Sequence, residues 1–133
     1  MECESCVKIM TEWDIVAARQ MGRNTAKELD FSIVDQARIT TAISELARNI
    51  YLYAGQGEIR IEPINEMGKC GLKVIAADRG PGIQDIRRVM EDGFTTSGGL
   101  GAGLPGVRRL MDDFDLTSEV GVGTTIQVVK WLR

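Results

Sequence analysis

Apolar residues recur at two different spacings along this chain, and each spacing predicts a different kind of element. After a short predicted strand at 5–10, apolar residues repeat three and four apart behind Asp14 and again behind Ser32, which indicates two helices. Asp14 and Ser32 suit the N-cap positions, and Gly55 suits the end of the second helix. The predicted buried faces are Ile15, Ala18, Gly22, Thr25 and Leu29, then Ile39, Ile43, Leu46, Ile50 and Tyr53.

The later half of the chain favours strands, because apolar positions alternate or form short runs between turn residues. Residues 91–103 are rich in glycine and threonine without a hydrophobic period, so they are predicted to form a loop. The order β-α-α-β-β-α-β-β predicts an α+β fold, a two-layer α/β sandwich whose mixed, mostly antiparallel sheet carries the helices on one face. The predicted elements are strands at 58–64 and 72–77, a short helix at 83–90, a helix at 104–113, and strands at 114–120 and 125–131.

Length, composition and charge narrow the class of protein. With 133 residues, 44% of them hydrophobic, the chain suits a single domain over 1–133. A net charge of -3 and a pI near 5.0, without a run of Lys or Arg, argue against a nucleic-acid partner. No apolar stretch approaches the roughly 18 residues of a membrane helix, and the acidic N-terminus does not resemble a signal peptide, so a cytoplasmic location is expected.

The three cysteines do not indicate a metal site. Cys3, Cys6 and Cys70 occur in a chain without histidine, so they cannot complete a four-ligand zinc site. We expect reduced thiols and no disulfide.

Glu45 and Asn49 are the first candidate pair for chemistry. A spacing of four puts both on one helix face, where they are expected to line the rim of a pocket. The Asn49 amide oxygen suits Mg²⁺, which prefers oxygen ligands, and Glu45 suits a general base that accepts the proton of an attacking hydroxyl. Taken alone, the pair is more typical of a solvated helix face. Neighbouring Arg48 can contact phosphate or simply face solvent.

Asp78-Arg79-Gly80-Pro81-Gly82 follows an apolar strand. A carboxylate at that position needs a hydrogen-bond donor, because burying it unpaired is costly. The N6 amino group of adenine is such a donor, whereas guanine presents an acceptor there, so ATP selectivity is expected. The alternative interpretation is an ordinary turn between strand and helix.

Glycines crowd the segment 98–106 before and into a predicted helix. Backbone amides here, with the helix N-terminus, suit phosphate. Residues 101–106 also match the dinucleotide pattern G-x-G-x-x-G, but no apolar strand precedes them, so that interpretation is rejected. Residues 91–107 contain no Lys or Arg, so either backbone amides and magnesium suffice to balance the phosphate charge or a partner completes that balance. Gly121-Val122-Gly123-Thr124 is by itself typical of a hairpin turn.

In this order the four motifs resemble the N, G1, G2 and G3 boxes of the GHKL (Bergerat-fold) ATPase and kinase superfamily. The resemblance implies ATP and Mg²⁺ as cofactors, a short ATP lid, Glu45 as the catalytic residue and Asn49 as the metal ligand. The chain departs from the pattern at Tyr53, where related kinases often carry histidine, so Tyr53 is expected to be a core residue. The ATP-binding residues that it implies are Asn49, Asp78, Gly80, Gly82, Gly99, Gly101, Gly103, Leu104 and Thr124.

Within the superfamily, the segments 11–20, 44–55 and 93–101 resemble the serine/threonine switch kinases of the bacterial stressosome, over essentially the whole chain. The resemblance implies phosphorylation of STAS-domain antagonist and scaffold proteins and, after release, activation of a PP2C-type phosphatase. The alternatives are an anti-sigma factor kinase of the same fold and a non-catalytic module whose lid is ordered by nucleotide.

Overall fold

The computed structural model describes residues 5–85, 87, 90 and 103–133. The elements follow one another in the predicted order. They are β1 (Cys6–Ile9), α1 (Glu12–Glu28), α2 (Ile33–Asn49), a π-helical turn (Ile50–Ala54), β2 (Gly57–Glu66), β3 (Lys69–Asp78), α3 (Gly103–Leu110), β4 (Asp113–Glu119) and β5 (Gly123–Trp131).

The five strands form one sheet in the order β1-β2-β3-β5-β4, and each described pairing is antiparallel. The register matters for the site, because Asp78 at the end of β3 pairs with Gly57 on one side and with Thr124 on the other. Two of the predicted motifs therefore meet at one edge of the sheet. The predicted α+β sandwich is confirmed.

The core lies between the sheet and the helices α1 and α2. Side chains of β2, β3 and β5 alternate, and one face is buried against α2. Gly22 brings α1 close to α2, because a Cβ there would lie 2.2 Å from Cδ1 of Ile43. The buried side chains that carry this core include Ile39, Ile43, Leu46, Ile59, Ile61, Leu72, Val74 and Val128.

Helix α1 begins earlier than predicted. Its N-cap is Thr11, and Asp14 is the third helical residue, so the prediction of Asp14 as N-cap was wrong. The Asp14 carboxylate turns back, as in a capping box. Its Oδ2 accepts the N–H groups of Met10 and Thr11, each at 2.8 Å. These backbone hydrogen bonds hold the pKa of Asp14 below its ordinary value.

Helix α2 begins as predicted and ends with an unexpected turn. Ser32 Oγ accepts the N–H of Asp35 at 3.1 Å, which confirms the cap. The helix then widens into the π-helical turn and stops at Gly55, whose φ is 82°. Gly55 was predicted to end this helix, and a positive φ favours glycine at such a position. The wider turn rotates Tyr53 away from the core stripe. Tyr53 is 45% exposed, so its prediction as a core residue was wrong.

The boundaries of the remaining helices and strands differ from the predicted ones by a few residues. Strands β2 and β3 extend to a tight turn at Met67 and Gly68, and α3 ends at Leu110 because β4 already begins at Asp113. Residues 83–85 are not helical, whereas residue 87 is, so the helix predicted at 83–90 does not begin at position 83. Residues 86, 88 and 89, and the predicted loop as far as position 102, lie outside the described residues. No helix of the described part is both long and apolar enough to cross a bilayer.

Candidate nucleotide site

A cavity of about 530 Å³ opens where α2, the end of β3, the start of β5 and the N-terminus of α3 meet. Of the predicted ATP-binding residues, the structure brings six to its lining: Asn49, Asp78, Gly82, Gly103, Leu104 and Thr124. Gly80 lies next to Asp78 and is not among the lining residues. Gly99 and Gly101 lie outside the described residues.

Asp78 is anchored at one end of the cavity by backbone groups. Its Oδ1 accepts the N–H of Gly80 at 2.9 Å and the N–H of Thr124 at 3.3 Å. The strand register places Thr124 directly beside it, and both residues border the cavity. Because Oδ1 is occupied, Oδ2 is the oxygen available to a donor on a ligand.

The loop after Asp78 is wedged between two neighbours. A Cβ at Gly80 would lie 2.6 Å from Cβ of Ala54 in the π-helical turn, and a Cβ at Gly82 would lie 2.5 Å from the carbonyl oxygen of Glu119. The carbonyl oxygen of Pro81 accepts the N–H of Gly121 at 2.9 Å. The two glycines are therefore needed for close approach as well as for the turn.

Ser118 is a residue of this region that sequence reasoning missed. Its Oγ accepts the N–H of Ile83 at 2.8 Å and lies 2.8 Å from Oγ1 of Thr124. The hairpin of β4 and β5 pairs Ser118 with Thr124, and this cross-strand contact forms only when the two strands are in that register. The hydroxyl of Thr124 is thus oriented by a neighbour that belongs to no recognised motif.

Asn49 ends α2 at the other side of the cavity. Its Oδ1 is buried and has no hydrogen-bond partner among the described residues. A buried oxygen without a hydrogen-bond partner destabilises a fold. An oxygen that is left in this state is therefore a candidate position for binding a ligand. The described residues contain no cluster of three or more His, Cys, Asp or Glu, so a hard cation here would depend on this amide and on oxygens of the nucleotide.

Glu45 does not open onto this cavity, although it was predicted to share the rim with Asn49. It lines a second cavity of about 500 Å³, between α1 and α2, together with Arg19, Arg23 and Arg48. Residue 45 is 8% exposed. Its Oε1 accepts a hydrogen bond from Nη1 of Arg48 at 3.1 Å, and its Oε2 is buried without a partner among the described residues. Four residues on a helix leave an offset of about 40°, which is enough to turn the two side chains toward different neighbours.

Helix α3 meets the nucleotide-sized cavity with its N-terminus. Gly103 (φ 67°) and Leu104 are both buried and both border the cavity. The first turn of a helix carries N–H groups without intrahelical partners and a partial positive charge. This end of the cavity therefore suits an anion.

Comparison with known proteins identifies relatives of this chain. Residues 34–133 match the family model described as "Histidine kinase-, DNA gyrase B-, and HSP90-like ATPase". The chain is 74% identical to serine/threonine-protein kinase RsbT of Bacillus subtilis (strain 168), with 100% of both chains covered. It is 31% identical to an anti-sigma F factor of Caldanaerobacter subterraneus subsp. tengcongensis, covering 86% of this chain and 83% of that protein.

Two solved structures share the fold. One contains the RsbU and RsbW domains of a Mycobacterium tuberculosis protein, with a TM-score of 0.63, 19% identity and 96% of this chain covered. This chain spans 33% of that longer chain. The other is the catalytic domain of histidine kinase ThkA, with a TM-score of 0.55, 17% identity and 99% of each chain covered.

The two sequence comparisons settle the class of enzyme. The full-length identity to a kinase and the match to an ATPase family make the chain an ATP-dependent serine/threonine protein kinase. The chain belongs to the family of histidine kinase-, DNA gyrase B- and HSP90-like ATPases.

Proposed function

We propose that this kinase phosphorylates STAS-domain antagonist and scaffold proteins of a bacterial stressosome in the cytoplasm and, once released, activates a PP2C-type phosphatase. We also propose that residues 1–133 act as one domain. The observation that carries the proposal is the 74% identity to RsbT over both full lengths, because partner choice lies on surfaces that have no readable motif. The geometry of the site supports the assignment of individual residues to the adenine and phosphate ends of ATP.

At the adenine end we assign Oδ2 of Asp78 to the N6 amino group, since Oδ1 is occupied by the N–H groups of Gly80 and Thr124. Thr124, whose hydroxyl is oriented by Ser118, is assigned to the same edge of the base. Gly80 and Gly82 shape the loop that lets the base approach Asp78.

At the phosphate end we assign the oxygen of Asn49 to Mg²⁺, which would neutralise phosphate charge when bound. The N-terminus of α3 at Gly103 and Leu104 would face the phosphates, and the amides of Gly99 and Gly101 are assigned to them as well. The unpaired, buried Oδ1 of Asn49 supports this arrangement.

In the transfer step the oxygen of a serine or threonine side chain attacks the γ-phosphorus. The bond from that phosphorus to the bridging oxygen breaks, ADP leaves, and the proton of the hydroxyl passes to Glu45. Positioning and charge neutralisation carry most of the catalysis in such a transfer. Because Glu45 lines the cavity between α1 and α2, the acceptor would reach it from that side, with the nucleotide on the other.

We expect Asp78→Asn to weaken ATP binding about 10- to 100-fold, the loss of one hydrogen bond to a charged group. Asparagine can keep the two backbone donors on its oxygen, but it then presents an amino group to the N6 amino group of adenine. The ratio of ATP to GTP affinity should also fall, as measured by calorimetry. Asp115→Asn, on an exposed residue of β4, is the matched control. Unchanged affinity and selectivity in Asp78→Asn would remove Asp78 from adenine recognition.

The function itself is tested by incubating the protein with Mg²⁺ and γ-labelled ATP, with and without a STAS-domain protein, and locating the label by mass spectrometry. We expect label on a serine or threonine of the STAS protein, and binding of a PP2C-type phosphatase to the free kinase in a pull-down. ATP binding without any transfer would instead favour the nucleotide-gated interaction module.

The anti-sigma alternative is favoured by one observation, the 31% identity to an anti-sigma F factor. A pull-down with a sigma factor and a PP2C-type phosphatase in competition separates the two proposals. Preferential retention of the sigma factor would overturn the phosphatase assignment while leaving the kinase activity in place.

A further inference from the structure

We propose that Arg48 is a positioning residue for phosphoryl transfer, holding Oε1 of Glu45 so that Oε2 is the oxygen that receives the proton of the acceptor. The proposal deepens the proposed function and rests on its assignment of Glu45 as the base. It concerns Arg48, for which the sequence left phosphate contact and simple solvent exposure as alternatives.

The ion pair is well placed for this role. Arg48 follows Glu45 by three residues on α2, so the two side chains are neighbours on the helix surface. Nη1 of Arg48 donates to Oε1 of Glu45 at 3.1 Å. The Glu45 side chain is 10% exposed and the Arg48 side chain 39%, so a nearly buried carboxylate is paired with a partly exposed guanidinium.

The two carboxylate oxygens of Glu45 differ in their hydrogen-bond partners. Oε1 is occupied by the guanidinium, whereas Oε2 is buried without a hydrogen-bond partner among the described residues. A buried carboxylate oxygen without a donor is unfavourable unless a ligand supplies one. A serine or threonine hydroxyl is a donor of the right kind, and the cavity beside Glu45 gives it room.

A second ion pair on the same helix shows what a purely structural pair looks like. Arg38 donates to Oδ1 of Asp35 at 2.9 Å, also at a spacing of three. That same oxygen lies 3.8 Å from Nζ of Lys130, so the second pair belongs to a network that ties α2 to β5. The pair of Arg48 and Glu45 instead borders a cavity and leaves one buried oxygen for an incoming group.

A base that is oriented by a third group loses rate when that group is removed, even though the base remains. Without Arg48 the Glu45 carboxylate can turn, and a displacement of about 1 Å at a reacting group costs roughly 100-fold in rate. Arg48→Ala is therefore expected to lower kcat about 10- to 100-fold. The KM and Kd for ATP should stay within about twofold, because neither residue lines the nucleotide cavity.

Two further variants separate a positioning role of Arg48 from a structural one. Arg38→Ala removes the comparable ion pair from α2 and is expected to keep kcat. Arg48→Lys keeps the charge without the planar fork, so it should restore part of the rate that Arg48→Ala loses. It also serves as the test variant if Arg48→Ala does not fold.

The decisive measurement is a double-mutant cycle with Glu45→Gln, comparing kcat for label transfer in the wild type, each single variant and the pair. We expect Arg48→Ala to have no further effect once Glu45 is replaced. A drop of less than threefold for Arg48→Ala, an equal drop in both backgrounds, or the same drop for Arg38→Ala would each overturn the proposal.

The cycle does not depend on the identity of the protein acceptor, because it can be repeated for slow transfer of the γ-phosphate to water, measured as ADP release. Failure to label a STAS-domain protein would count against the proposed function alone. Full activity of Glu45→Gln would overturn both the base assignment and this inference.

Discussion

Glu45→Gln is expected to lower phosphoryl transfer about 10²- to 10⁴-fold, the usual contribution of a general base. The change is nearly isosteric and replaces the carboxylate that is proposed to take the proton. ATP affinity is expected to stay the same, because Glu45 lines the cavity between α1 and α2 and not the one that holds Asn49, Asp78 and Thr124. Single-turnover transfer of labelled phosphate measures the first effect, and calorimetry with ATP measures the second.

The matched control is Glu28→Gln, on an exposed residue at the end of α1, which should change neither quantity. Transfer by Glu45→Gln within threefold of the wild type would exclude Glu45 as the base. A loss of ATP affinity equal to the loss of rate would assign Glu45 to nucleotide binding instead, and would contradict the separation of the two cavities.

The parts of the site that could be predicted from the sequence are those that depend on backbone geometry. Asp78 could be predicted because an apolar strand ends there and glycines follow. Its meeting with Thr124 follows once β3 and β5 are paired antiparallel. Asn49 could be predicted from its place on one face of an amphipathic helix, beside the buried stripe. These features are set by residue type and local period, which a single sequence displays.

The features that could not be predicted depend on how side chains settle against their neighbours. The π-helical turn after Asn49 adds to a helix whose apolar spacing looks continuous, and it turns Tyr53 toward the cavity, whose lining includes that residue. Ser118 lies on β4, far from Asp78 along the chain, and belongs to no motif. Its contact with Thr124 exists only once the hairpin has its register.

The orientation of Glu45 is another feature that the periodicity of the sequence could not predict. A spacing of four indicates that Glu45 and Asn49 share a helix face, and they do lie on adjacent turns of α2. The helix packs against α1 on one side and meets the nucleotide-sized cavity on the other, so a small angular offset assigns the two side chains to different cavities. Periodicity specifies a face, whereas the packing of neighbouring elements determines what that face contacts.

Gly123→Ala is expected to have the second large effect, on both stability and ATP binding. Gly123 has a φ of 147°, and a Cβ there would lie 2.1 Å from the carbonyl oxygen of Asp78. Backbone strain of about 1 to 3 kcal/mol adds to an overlap that costs about 1 to 3 kcal/mol. The overlap involves backbone atoms, so β5 must shift away from β3. That shift would lengthen the hydrogen bond from the N–H of Thr124 to Asp78, which is 3.3 Å at present.

Gly121→Ala separates the effect of backbone strain from that of the steric overlap. Gly121 also has a positive φ, 82°, but nothing lies within 4 Å of its Cβ position. Only the strain of a left-handed residue, about 1 to 2 kcal/mol, is therefore expected. Denaturant unfolding should show the larger loss of stability for Gly123→Ala, and calorimetry should show at least a tenfold loss of ATP affinity for that variant alone. Equal losses of stability and of ATP affinity in the two variants would mean that β5 can move away from Asp78 without a cost in free energy. The pairing of Asp78 with Thr124 would then not be what shapes the adenine end of the site.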